Sequence, residues 1–176
     1  RLCLRDSHFE RIMSNIGYFE RVTVSKIRLF GVFLTFFGLV REGRRIGRGT
    51  DIAAAKLGAG KCFACDIDPV AVRVAKENTE LNSTPNVECA VSDLLKQVPK
   101  PVGGYDVIAA NIVADVIIRM APDIGAYMGD GCKLIVSGII VERADETVAA
   151  LEKAGLTVVD SVRENGWYCG VAEKRA

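Results

Sequence analysis

Along most of the chain, short apolar runs alternate with segments whose apolar positions recur at helical spacing, the pattern of a parallel sheet with crossover helices. The pattern becomes regular only after Thr50. Residues 1–50 keep neither a helical nor an alternating period, carry a basic cluster at Arg41-Glu42-Gly43-Arg44-Arg45, and stay unassigned. Beyond them, residues 52–57 read as the end of an Ala-rich helix stopped by Gly58, and residues 62–65 as a short strand ending in Asp66. Asp68 is placed to cap a helix whose first residue is Pro69. Its inner face is expected to hold Ala71, Val74, Ala75, Asn78 and Leu81, with Asn82 and Ser83 ending it.

Val87–Val91 reads as the next strand, residues 96–104 as a loop rich in Pro and Gly, and residues 105–110 as a buried strand ending at Asn111. A helix over 114–128, a turn at Gly129-Asp130-Gly131 and a strand over 132–136 follow, the strand ending at Ser137-Gly138. Residues 142–154 are expected to be helical, with Gly155 as the stop. Two last strands, 156–162 and 167–172, lie close enough to form a hairpin. The expected fold is α/β: a Rossmann-like, doubly wound, mostly parallel sheet with a C-terminal antiparallel hairpin. The domain division expected is an atypical region over 1–50 and a catalytic domain, itself partial, over 51–176.

Composition narrows the class little. The 176 residues are 49% hydrophobic and 26% charged, which suits one globular domain. With 23 basic against 22 acidic side chains, the net charge of +1 argues for neither nucleic acid nor an anionic membrane as partner. Six cysteines in a chain this long do not suggest a disulfide scaffold; free thiols in a reducing cytoplasm are expected. Cys62 and Cys65 form a C-x-x-C, but residues three apart on a strand point to opposite faces, so no metal site is expected there. The apolar run 29–40 is about 12 residues long where a membrane-spanning helix needs roughly 20, so no span is expected. No signal-peptide pattern stands at Arg1, and the absence of an initiator Met predicts a start further upstream. The one histidine, His8, is assigned no role.

In an open doubly wound sheet, ligands lie beyond the carboxyl ends of the strands, so the polar residues just after each strand are the candidates. Asp66 follows the first clear strand, where a carboxylate can accept from both hydroxyls of a ribose; alternatively it shares turn and cap duties with Asp68. Asp93 follows Val87–Val91, where its carboxylate or the adjacent backbone could meet the exocyclic amine of adenine, or where it only forms a turn. Asn111 ends an apolar strand, with an acceptor and donors able to hold an amine toward an electrophilic methyl; its other reading is a helix cap. Ser137-Gly138 is a weaker candidate for the pocket lining.

The run Asp51-Ile-Ala-Ala-Ala-Lys-Leu-Gly-Ala59, then Asp66-Ile-Asp-Pro-Val-Ala-Val72, Ala75-Lys-Glu-Asn78, Leu81-Asn82, Ala110-Asn-Ile-Val-Ala114, Ser137-Gly-Ile139 and the tail Glu164 to Trp167 resemble the class I methyltransferases that modify large-subunit ribosomal protein L-eleven. The resemblance covers residues 51–174 and implies S-adenosylmethionine as cofactor. It implies Asp66 on the ribose, Ile67 packed near the adenine, Asp93 and Leu94 at the base, and Asn111 near the methionine moiety and the incoming amine, as the catalytic position. Methyl transfer to amino groups, lysine or N-terminal, of a ribosomal protein in the cytoplasm is what it implies for activity, with no direct nucleic-acid partner. Oligomeric state stays open.

The family's Gly-x-Gly-x-Gly loop follows an apolar first strand, whereas here Gly47-Arg-Gly-Thr50 follows a basic stretch. Arg1-Leu-Cys-Leu-Arg5 resembles the helix preceding that strand, so residues 6–50 read as inserted or replaced sequence, through a disrupted frame or a diverged copy. Loss of the first strand would remove the sheet's central member. Two alternatives stand beside the enzyme: a non-catalytic adenosine-binding remnant, and a nicotinamide-dependent Rossmann oxidoreductase, which leaves the Asn111 segment and the terminal hairpin unexplained.

Overall fold

The structure, a computed structural model, describes residues 32–36, 50–56 and 58–175, with side chains undescribed at 32–36, 50 and 53. The expectations for Arg1 to Arg5, His8, the rest of the 6–50 stretch and the glycines at 47 and 49 lie outside the described residues.

The element order is β1 (Val32–Phe36), α1 (Thr50–Lys56), β2 (Lys61–Asp66), α2 (Pro69–Leu81), β3 (Val87–Val91), β4 (Tyr105–Asn111), α3 (Ala114–Ile124), β5 (Met128–Ile140), α4 (Ala144–Lys153), β6 (Leu156–Glu164) and β7 (Trp167–Lys174). They build a 7-stranded sheet in the order β3-β2-β1-β4-β5-β7-β6. β1 pairs in parallel with β2 and with β4, β2 with β3, and β4 with β5; β7 runs antiparallel to both β5 and β6.

The expected loss of the first strand is corrected here. Val32–Phe36, inside the run read as unassigned, occupies the central place of the sheet, with Phe33 opposite Cys62 on one side and Val107 on the other. The run Val-Phe-Leu-Thr-Phe has one polar position in five, so it leaves no alternating period to read.

Alternation in the other strands sorts side chains onto two faces. Phe63, Cys65, Ile108, Ala110, Leu134 and Val136 join one core cluster with Ile117, Met120 and Ile124 of α3 and Leu151 of α4. Cys62, Ala109 and Ile135 pack on the other face with Ala54 of α1, and Ala64 and Cys89 with Val72 and Ala75 of α2. Ile108, Ile117, Ile124, Leu134 and Leu151 are fully buried, and each such side chain contributes about 1.5–3 kcal/mol.

Local chemistry explains the element ends. Asp68 caps α2 by accepting from the Val70 N–H at 2.8 Å, and Pro69 follows. The buried face of α2 differs from the expected one: Ala71, Val72, Ala75 and Thr79 face in, while Leu81 is 82% exposed at the last turn. The helix packs on β2 and β3, which narrows the stripe it buries. α3 stops at Ile124 rather than 128, soon after Pro122, and a 3₁₀ turn over Gly125–Tyr127 leads into β5. Gly129-Asp130-Gly131, expected as a turn before the strand, lies within β5, where pairing jumps from Tyr105↔Met128 to Val107↔Lys133. The β6–β7 hairpin closes tightly through Asn165 and Gly166, both at positive φ (50° and 80°), as a two-residue I′ turn demands.

One buried group has no evident place in this fold. Asp51, in the first turn of α1, is 1% exposed, and neither carboxylate oxygen has a hydrogen-bond partner among the described residues.

Candidate active site

The order β3-β2-β1-β4 places the topological switch between β1 and β4, and the expected site residues come from strands on both sides of it. Asp66 is the last residue of β2 and is 5% exposed. Its Oδ1 accepts from the Asp68 N–H at 2.8 Å, which fixes the carboxylate and leaves its second oxygen for a ligand. Burial raises the Asp66 carboxyl above its ordinary value; the nearby Asp68 charge adds to this, and the backbone N–H groups of Asp68 and Ile67 oppose it. Asp68 alone caps α2, while Asp66 takes its share of the turn by accepting from the Asp68 N–H.

Next to this carboxylate stand two exposed apolar side chains, Ile67 at 59% and Val91 at 44%. Such residues form an apolar surface against which a planar base can pack. The β3 end is tied to the β2 end by the Ser92 N–H, which donates to the Asp66 carbonyl at 2.9 Å. Asp93 binds Lys96 through Oδ2 at 2.6 Å, and this ammonium holds its carboxyl below the ordinary value. Leu94 sits at φ +53°, in the left-handed region that a side chain of this kind rarely adopts.

Across the switch, Asn111 ends β4 opposite Ser137 of β5 and is half-buried. Gly138, at φ +78°, comes so near that a β-carbon there would lie 2.8 Å from Asn111 Oδ1 and 3.1 Å from the Ile112 nitrogen. The capping role for Asn111 is not seen: the residue at the cap of α3 is Val113, and no side chain caps it. Ser137 is buried and its carbonyl accepts from the Ile112 N–H at 3.0 Å, while Gly138 comes up against the Asn111 side chain. Arg143, after β5, binds Asp115 in the first turn of α3 at 2.7 Å and thereby links the segments that follow Asn111 and Gly138. As an exposed pair it contributes at most about 1 kcal/mol.

Cys62 and Cys65 fall in different core clusters on opposite sheet faces, and burial pushes both thiols up to about 12. Among the described residues no group of three or more His, Cys, Asp or Glu is arranged to hold a metal. No helix of the described residues is long and apolar enough to cross a membrane.

A sheet ordered 3-2-1-4-5 that ends in a reversed strand inserted before the edge differs from the dinucleotide-binding order 3-2-1-4-5-6; it is the class I methyltransferase fold. Structural likeness bears this out. A ribosomal protein L11 methylase from Lactobacillus delbrueckii subsp. bulgaricus superposes with a TM-score of 0.76 at 24% identity, over 93% of this chain and 78% of that one. A protein described as a methyltransferase and crystallised with SAH superposes with a TM-score of 0.65 at 13% identity, over 91% of this chain and 49% of that one. Residues 46–175 match the family model of the Ribosomal protein L11 methyltransferase (PrmA), and the chain belongs to that family. The Ribosomal protein L11 methyltransferase of Pelotomaculum thermopropionicum is 42% identical over 135 residues, 74% of this chain and 43% of that protein. The chain thus matches less than half the length of its curated relatives.

Two features of the site had little or no signal in the sequence. Gly138 was legible as a strand-end glycine but not as the wall against Asn111. Ser92 and Gln97 read as ordinary loop residues.

Proposed function

We propose that this chain carries the catalytic domain of an S-adenosylmethionine-dependent protein methyltransferase that transfers methyl to amino groups, lysine or N-terminal, of ribosomal protein L11. The observation that carries the reading is the line of carboxyl-terminal strand segments: the Asp66 carboxylate ends β2, the loop at Asp93 and Leu94 follows β3, and Asn111 at the end of β4 meets Gly138 in the last residues of β5. Family membership and the SAH held by a protein of the same fold support it.

The residues suit the cofactor chemically. Asp66 is a pre-oriented acceptor for ribose hydroxyls, and Ile67 with Val91 offers apolar surface to the adenine. Asp93, with one carboxylate oxygen held by Lys96, keeps the other to accept from the exocyclic amine beside Leu94. Bound S-adenosylmethionine supplies a sulfonium-activated methyl group. The task left to Asn111 is to hold a neutral amine by its carboxamide with the lone pair in line, and to do so away from bulk water. A substrate amine that arrives deprotonated needs no strong base from the protein. We assign the enzyme to the cytoplasm with its ribosomal-protein substrate.

Calorimetric titration of the chain with S-adenosylmethionine tests the reading. Asp66→Ala is expected to weaken binding by about 10- to 100-fold, the loss of charge-assisted hydrogen bonds of roughly 1.5–3 kcal/mol. No detectable heat with the unaltered chain, or equal affinity in the variant, would sink it.

A further inference from the structure

The loop after β3 is more tightly built than a connecting turn needs. Ser92 is 3% exposed and its hydroxyl works in both directions, donating to the Leu94 carbonyl at 2.8 Å and accepting from the Gln97 N–H at 3.2 Å. The Gln97 side chain turns back to accept from the Asp93 N–H at 3.1 Å. Leu95 and Val98 anchor the loop in the core, where the Tyr127 hydroxyl donates to the Leu95 carbonyl at 3.0 Å. Within this frame Leu94 is held at φ +53°, a left-handed conformation that a non-glycine residue rarely adopts. Strain of this kind persists only where surrounding bonds over-determine it, and here three of them involve two side chains, Ser92 and Gln97.

We propose that Ser92 and Gln97 are positioning residues for base recognition: their hydrogen bonds hold Leu94 left-handed and so set the Asp93 carboxylate and the Leu94 backbone against the edge of an adenine. The proposal rests on the cofactor reading above. Its physical basis is division of labour among the loop's polar groups. Gln97 occupies the Asp93 N–H and Lys96 occupies one Asp93 oxygen, which leaves a carboxylate oxygen and the Leu94 N–H for a ligand. One acceptor beside one donor complements the amine and ring nitrogen of adenine, and mismatches hypoxanthine, whose oxo group replaces the amine. Ser92 also donates its N–H to the Asp66 carbonyl, so the base and ribose contacts share one rigid strut.

The test compares S-adenosylhomocysteine with S-inosylhomocysteine, titrated against the full chain and its variants. Ser92→Ala is expected to lose about tenfold in affinity for the adenine ligand, the worth of one or two hydrogen bonds, and to lose almost nothing for the inosine ligand. The preference between the two thus collapses, while Ser92→Thr, which keeps the hydroxyl, restores it. Gln97→Ala, at an exposed position where folding is safe, is expected to shift the ratio the same way by about threefold. An unchanged ratio in both alanine variants, even with lower overall affinity, would overturn the proposal and leave the cofactor reading standing. If the unaltered chain binds neither ligand, the cofactor reading fails and this proposal fails with it.

Discussion

Gly138→Ala is expected to reduce turnover about 100-fold while S-adenosylmethionine affinity changes only a few-fold, because a displacement of about 1 Å at the reacting amine is enough for such a loss. The methyl group of alanine would stand 2.8 Å from Asn111 Oδ1, an overlap the flexible carboxamide relieves by swinging away. Backbone atoms of Ile112 at 3.1 and 3.2 Å leave the new methyl no other escape. Alanine at φ +78° adds about 1–3 kcal/mol of strain, so the thermal midpoint is also expected to fall. Steady-state kinetics separates the two effects: kcat drops far more than the cofactor's KM rises. In an Asn111→Ala background the same glycine substitution should cost little further turnover, since the side chain it displaces is already gone. Additive losses in the double variant would show that Gly138 acts through something other than Asn111.

Asp51→Ala is expected to stabilise the chain by about 1–3 kcal/mol at neutral pH, the cost of a buried polar group left without a partner. Burial raises the Asp51 carboxyl above its ordinary value of 3.8, partly opposed by the backbone N–H groups of Ile52 and Asp51, which lie near without forming well-aligned bonds. The sign follows directly. The folded state holds the proton more tightly than the unfolded chain, so the Asp51 contribution is fully present below the ordinary carboxylate value. It is lost as pH rises through the raised folded value. Asp66, also raised, acts with the same sign. Urea midpoints measured from acid to neutral pH should therefore decline for the unaltered chain and decline less for Asp51→Ala. A variant that is less stable and keeps the full pH slope would mean that Asp51 is satisfied by a partner after all.

Much of the fold was legible along the chain, and the reasons are local. The Asp68-Pro69 start of α2, the stop at Gly155 and the Asn165-Gly166 hairpin depend on cap and turn chemistry that spans a few residues. The places of Asp66, Asp93 and Asn111 at strand ends were likewise visible, because a run of apolar residues that stops at a polar one marks a carboxyl end. β1 was not visible: a five-residue strand with one polar position looks like any short apolar run, and the basic stretch after it obscured its context. Leu81 continues the helical spacing yet is 82% exposed, because spacing identifies a stripe but not how far packing extends along it.

By itself, then, the sequence determined the succession of strands and helices, the caps that bound several of them, and which polar residues stand at the carboxyl ends of strands. These follow from short-range periodicity and backbone chemistry. Only the tertiary structure decided that Val32–Phe36 lies at the centre of the sheet and that β7 enters between β5 and β6. It alone also decided that Gly138 stands against Asn111, that Ser92 and Gln97 hydrogen-bond across the loop that carries Leu94, and that Asp51 is buried without a partner among the described residues. Each of these depends on contacts whose partners are set by how the elements pack, which no local pattern encodes.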